Sequence, residues 1–150
     1  MRNQPRIAIS SEQTAVRVPR IRIAKLAELI SRTEQPIAEL DVAFLDDEQI
    51  ELYNRRFVGH TGPTDVISFD VTGPDDEALA VQLLICGPVA RQQAADHDQP
   101  ITREILRYVA HGLLHQMGYD DQDAASAEVM HAREDELLEA LAAEEKGRRR

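Results

Sequence analysis

Cysteine is nearly absent from this chain of 150 residues. Cys86 is the only one, so no intrachain disulfide can form. That suits a reducing compartment, and a cytoplasmic location is expected. Cys86 closes the apolar run "VQLLIC" and reads as a buried strand residue. No apolar run approaches the length of a membrane span, so no membrane is expected among the partners. The opening "MRNQPRIAISSEQ" lacks the continuous apolar stretch of a signal peptide. Positive charge is also scarce. Lys and Arg number 17 against 27 Asp and Glu, for a formal charge of −10. A surface of that sign repels phosphates, which argues against general nucleic-acid binding and against DNA as a partner. No internal repeat and no low-complexity linker interrupts the chain. Its length and 43 % hydrophobic content point to a single domain, residues 1–150, with a real core.

The charge is unevenly spread. Residues 1–34 carry +4, residues 35–100 carry −10 and residues 101–150 carry −4. Arg17, Arg20, Arg22 and Lys25 lie in the positive portion, where a solvated helix face is the simplest reading. The basic tail, about residues 144–150, is expected to fray.

Periodicity supplies an element order of β-α-β-α-β-β-α-α-α. "RIAIS" is a short strand. Residues 18–33 read as an amphipathic helix with Ile23, Leu26, Leu29 and Ile30 inward. "IAELDVAFLD" alternates as a strand through Leu40, Val42 and Phe44. Asp46 and Gln49 form a capping box that opens a helix carrying Ile50, Leu52, Tyr53 and Phe57. "VGHTGPT" is a loop, "DVISFDV" and "LAVQLLIC" are strands, and Gly87 and Pro88 open a helix to about Ala95. "ITREILRYVAHGLLHQMG" has the strongest helical period, with Ile105, Val109 and Leu113 in one row and Leu106, Leu114 and Met117 beside them. Gly118 ends it. A last helix spans 123–145, with Val129, Met130, Leu137, Leu138 and Leu141 inward. The expected fold is α/β (α+β): a small mixed sheet packed by helices, with a metal site at the end of a central helix.

The chemistry centres on "HGLLHQMGYDD". A four-residue step returns a helix to nearly the same face, so His111 and His115 point the same way, with Cβ atoms about 6 Å apart. Two imidazoles at that distance can bind one ion. Gly118 lets the chain reverse, and a ligand six residues after His115 can swing back. That ligand is Asp121 by register, with the adjacent Asp120 turned away or in a supporting role. His-x3-His-x5-ligand is the spacing of metzincin-type zinc sites. In those peptidases a glutamate follows the first histidine as general base. Here the residue is Gly112, which disfavours proteolysis. Carboxylate and imidazole together suit Zn²⁺ or Mn²⁺. One extra negative charge, relative to three histidines, makes the ion a weaker Lewis acid. His131 could substitute as a ligand only if the last helix folded back onto the site. His60 and His97 lie in polar loops and are expected to face solvent without partners.

Two segments resemble the YbeY family of metal-dependent endoribonucleases of ribosomal RNA maturation. "LYNRRFVGHTGPTDVISFDV" is similar to the family's Leu-Asn-x-x-Phe-Arg-Gly…Pro-Thr-Asp-Val-Leu-Ser-Phe pattern. "VAHGLLHQMGYDD" is similar to His-Gly-x-Leu-His-x-x-Gly-Tyr-Asp-His. Met130 and Glu134 stand where the family has Met and Glu. The resemblance implies one zinc-type ion, single-stranded ribosomal RNA as substrate, and the ribosome or small-subunit components as partners. Its carried-over ligands are His111 and His115, with Asp121 at the third histidine's position. No side-chain catalyst is carried over. The family arginine is Val58 here, and its Gly-Asp in the later strand is Gln82-Leu83. Arg55 and Arg56 are nearby but point elsewhere by helix geometry. Two readings follow: a working, divergent nuclease of rRNA maturation and ribosome quality control, or a catalytically weakened ribosome-associated RNA-binding module on the same fold.

Overall fold

The structure is a computed structural model and describes residues 4–58 and 65–148. His60, Pro63 and Thr64 of the loop motif lie outside the described residues. Four strands form one mixed sheet: β1 (Arg6–Ser11), β2 (Ile37–Leu45), β3 (Val66–Asp70) and β4 (Leu79–Cys86). Their spatial order is β1-β2-β4-β3, with β1/β2 and β2/β4 parallel and β3/β4 antiparallel. Five α-helices accompany them: α1 (Arg20–Thr33), α2 (Asp47–Tyr53), α3 (Gly87–Asp96), α4 (Ile101–Gln116) and α5 (Ala124–Arg148). A π-helical turn, Asn54–Val58, continues α2. No described helix is long and apolar enough to cross a membrane.

The sheet's main face explains the strand sequences. Leu40, Val42 and Phe44 of β2 stand opposite Val81, Leu83 and Ile85 of β4, and all six are fully buried. Inner strands flanked by parallel neighbours read as apolar runs because they are covered on both sides. α1, α4 and α5 lie over this face and contribute Ile23, Leu26, Ile105, Val109, Leu113, Met130 and Leu137 to one continuous core. On the opposite face a smaller core gathers Leu45, Ile50, Ile67, Leu84 and Cys86. The Cys86 thiol is fully buried and hydrogen-bonds the Asp47 carboxylate at 3.2 Å. Burial, reinforced by neighbouring acidic groups, pushes its pKa up to about 12.

α4 sits close on the sheet because of one residue. A Cβ on Gly112 would lie 2.5 Å from Cδ2 of Leu83. The bare glycine backbone therefore admits the buried leucine beneath it. At the next turn the Gln116 amide donates to the Ser68 hydroxyl of β3 at 2.9 Å. These two contacts set the helix's histidine-bearing end over β4 and β3.

Several expectations change on contact with the fold. Val129 is 61 % exposed rather than inward. The buried stripe of α5 is Met130, Glu134, Leu137, Leu138 and Leu141, and Val129 falls outside it. Leu52 and Tyr53 are exposed, while Ile50 and Asn54 carry the buried side of α2 and its π-helical turn. The capping box at Asp46 and Gln49 is present in both directions. α5 does not fray at residue 144 but runs to Arg148. Glu144 and Glu145 pair with Arg32 and Arg22 of α1 at 2.7 and 2.8 Å, so these two arginines are matched by carboxylates. Arg20 donates to the Ile9 carbonyl oxygen.

Candidate metal centre

The turn after α4 has a specific stop. The Tyr119 amide donates to the Leu114 carbonyl and the Gly118 amide to the His115 carbonyl, the paired pattern of a Schellman cap. Gly118 adopts a φ of +105°, which suits glycine and strains any side chain. The turn is then pinned from outside. The Tyr119 hydroxyl donates to the Glu34 carboxylate at 2.7 Å, and Arg133 of α5 donates to the same carboxylate at 2.6 Å. Asp120 accepts from the Gln122 amide at 2.9 Å, a local turn bond. Asp123 accepts from the Ser126 amide and starts α5. The chain thus reverses within a few residues and returns α5 alongside α4.

This reversal brings Asp121 to His111. Asp121 Oδ2 lies 3.7 Å from His111 Nε2. His115 stands one turn further along α4 and is exposed. Among the described residues no three His, Cys, Asp or Glu side chains converge closely enough to form a finished metal cage. Two of the three expected ligands therefore meet, and the third shares their helix face. An open hollow of about 340 Å³, lined by Met117, Gly118, Tyr119, Asp120, Ser126 and Val129, adjoins the turn.

The other side of the His111 ring is occupied by a group that periodicity passes over. Glu134 of α5 is fully buried, and its Oε2 lies 2.8 Å from His111 Nδ1. Its Oε1 accepts from Arg107 Nη1 at 3.1 Å and lies 3.2 Å from His131 Nδ1. Arg107 also donates to Asp135 at 2.6 Å. Burial alone raises a carboxyl pKa, but the bonds to His111, His131 and Arg107 prevail and hold Glu134 below its ordinary value. The hydrogen bond to Glu134 raises His111 against the opposing effect of burial, and the charges of Glu134, Asp121 and Asp65 add to it. His131 thus reaches the site through Glu134, and α5 does fold back, although the His131 ring is largely exposed. His97 is not partnerless either: its Nδ1 lies 3.4 Å from the buried Glu104 carboxylate. The remaining departures are structural in kind. Leu83 faces the core beneath Gly112, and Val58 ends the π-helical turn.

The donor set suits a divalent ion chemically. His111 is anchored through Nδ1, its Nε2 is turned toward a carboxylate, and a second imidazole lies one turn away. In the π-helical turn Arg55 and Arg56, with Leu52 and Tyr53, line a separate open cavity. Arg55 is paired there with Glu51 at 2.6 Å.

Comparison with known proteins agrees with this arrangement. A family model described as Endoribonuclease YbeY matches residues 7–142. The endoribonuclease YbeY of Methylococcus capsulatus is 37 % identical over 113 residues, 74 % of this chain and 75 % of the relative. That of Ralstonia nicotianae is 35 % identical over 104 residues, 69 % of this chain and 56 % of the relative. That of Geobacillus thermodenitrificans is 35 % identical over 111 residues, covering 67 % and 71 %. A Thermotoga maritima protein solved in solution shares the fold, with a TM-score of 0.65 over 95 % of this chain and 93 % of its own, at 22 % identity.

Proposed function

This chain belongs to the endoribonuclease YbeY family, and from that membership we propose that it is a metal-dependent endoribonuclease acting on single-stranded ribosomal RNA. Its setting would be rRNA maturation and ribosome quality control in the cytoplasm, with the ribosome or small-subunit components as partners. The observation that supports this most is the His111 ring, held through Nδ1 by buried Glu134 and facing Asp121 through Nε2. His111, His115 and Asp121 would hold one Zn²⁺ or a similar ion. Such an ion supplies Lewis acidity for phosphodiester hydrolysis. Asp121 brings a negative charge where the resemblance implies a neutral imidazole, so the ion's acidity is reduced. Gly112 supplies no side chain to act as a base, and its bare Cα is accounted for by Leu83.

A second reading, a weakened RNA-binding module, is favoured by Val58 and Leu83 standing at the family's arginine and aspartate positions. In either case Arg55, Arg56 and Tyr53 offer cationic and aromatic groups to an RNA strand. The discriminating experiment measures bound metal and cleavage of single-stranded rRNA fragments by wild type and His115→Ala. The nuclease reading expects metal-dependent cutting by wild type and loss of both properties in the variant. Equal cutting by both proteins would sink it, and rRNA binding without metal-dependent turnover would select the module.

A further inference from the structure

We propose that Glu134 is a positioning residue that sets the tautomer and aim of His111, with Arg107 holding the carboxylate in place. The proposal rests on the reading of His111 as a ligand, and it assigns a role to a residue outside the ligand set.

Glu134 occupies an apolar register position. It follows Met130 by one turn, precedes Leu137 and Leu138, and is fully buried. Core stability does not call for a carboxylate there. Replacing buried ion pairs by apolar residues of similar size is often neutral or stabilising. The carboxylate is nevertheless well satisfied, by His111, Arg107 and His131. Arg107 lies one turn before His111 on α4 and grips both Glu134 and Asp135. The two helices are therefore locked together at the level of the site.

The chemical consequence is directional. An ionised carboxylate only accepts hydrogen bonds, so the short contact at Nδ1 requires the proton on Nδ1. The neutral ring then carries its free lone pair on Nε2, the atom that faces Asp121 at 3.7 Å. A ligand histidine needs that tautomer, and a carboxylate behind it orients the ring and raises its basicity.

The test uses the full chain and two variants. Glu134→Leu fills the core position without an acceptor, and Glu134→Gln keeps a carbonyl acceptor without the charge. Nitrogen-15 NMR of the His111 ring in metal-free protein, at about pH 9 where an imidazole is neutral, reads the tautomer directly. Wild type is expected to hold the proton on Nδ1. Glu134→Leu should move it to Nε2 while the melting temperature is kept or raised, and Glu134→Gln should be intermediate. Zinc affinity, measured by competition with a chromophoric chelator, should fall about 10–100-fold in Glu134→Leu, with partial rescue by Gln. A wild-type proton on Nε2 would overturn the proposal. So would a Leu variant that melts earlier with its tautomer and zinc affinity unchanged, because Glu134 would then be structural only. If both readouts respond as expected and wild type still cuts no RNA, the nuclease reading fails and the positioning role stands.

Discussion

The two sides of α4 are held by opposite means. One side presents Ile105, Val109 and Leu113 to the sheet, all fully buried and free of any polar partner. The other presents Arg107 and His111 to a single buried carboxylate on α5. The first side depends on volume and tolerates any apolar group that fills it. The second depends on distances of about 3 Å and on which atom carries a proton. A helix can therefore be placed by its apolar side and aimed by its polar one, and the two functions should separate under mutation.

Leu113→Ala should give the largest effect. It opens a cavity against the sheet and is expected to lower stability by about 2–5 kcal/mol in denaturant unfolding. The His111 ring should keep its tautomer in the molecules that remain folded. A tautomer change here would break the separation of the two sides.

Arg107→Ala should cost less, about 1–3 kcal/mol, because it removes one of three partners from a buried carboxylate. Unlike Leu113→Ala, it should also weaken zinc binding. A stability loss with zinc affinity intact would return Arg107 to the merely structural side.

Gly112→Ala probes the boundary. The new methyl meets Leu83 at 2.5 Å, and overpacking of this kind costs about 1–3 kcal/mol. Improved helix propensity returns about 1 kcal/mol. The net loss should be small, and in a double-mutant cycle it should couple with Leu83→Ala, which frees the space. Strict additivity of the two would refute close contact as the reason for the glycine.

The same contrast explains what could be read from the chain alone. Apolar periodicity is local, and it located all four strands and all five helices to within a few residues. It also identified the inward rows of α1, β2 and α4. It failed where a partner lies far along the chain. Glu134 sits in an apolar row, and its meaning depends on a histidine 23 residues earlier. Glu144 and Glu145 looked like the start of a frayed end until α1 arrived beside them, more than a hundred positions away in sequence. Val129 was drawn inward with its neighbour Met130, although one residue turns a helix by about 100°. The His111–Asp121 approach was accessible from spacing because only a glycine-capped turn separates them. The carboxylate behind His111 was not, since it rests on how two helices dock. The resemblance put Glu134 in register with the family but did not say what it touches.

That dependence also sets an order of assembly. Synthesis proceeds from the N-terminus, so both histidines are made before Glu134 exists. A chain that has reached Tyr119 has the His pair and the helix beneath it, but the His111 ring is still free to turn. The ring is set only when α5 returns across α4 and brings its carboxylate into the core. Completion of the centre is thereby tied to one late docking event, and the half-made protein lacks the geometry of the finished one.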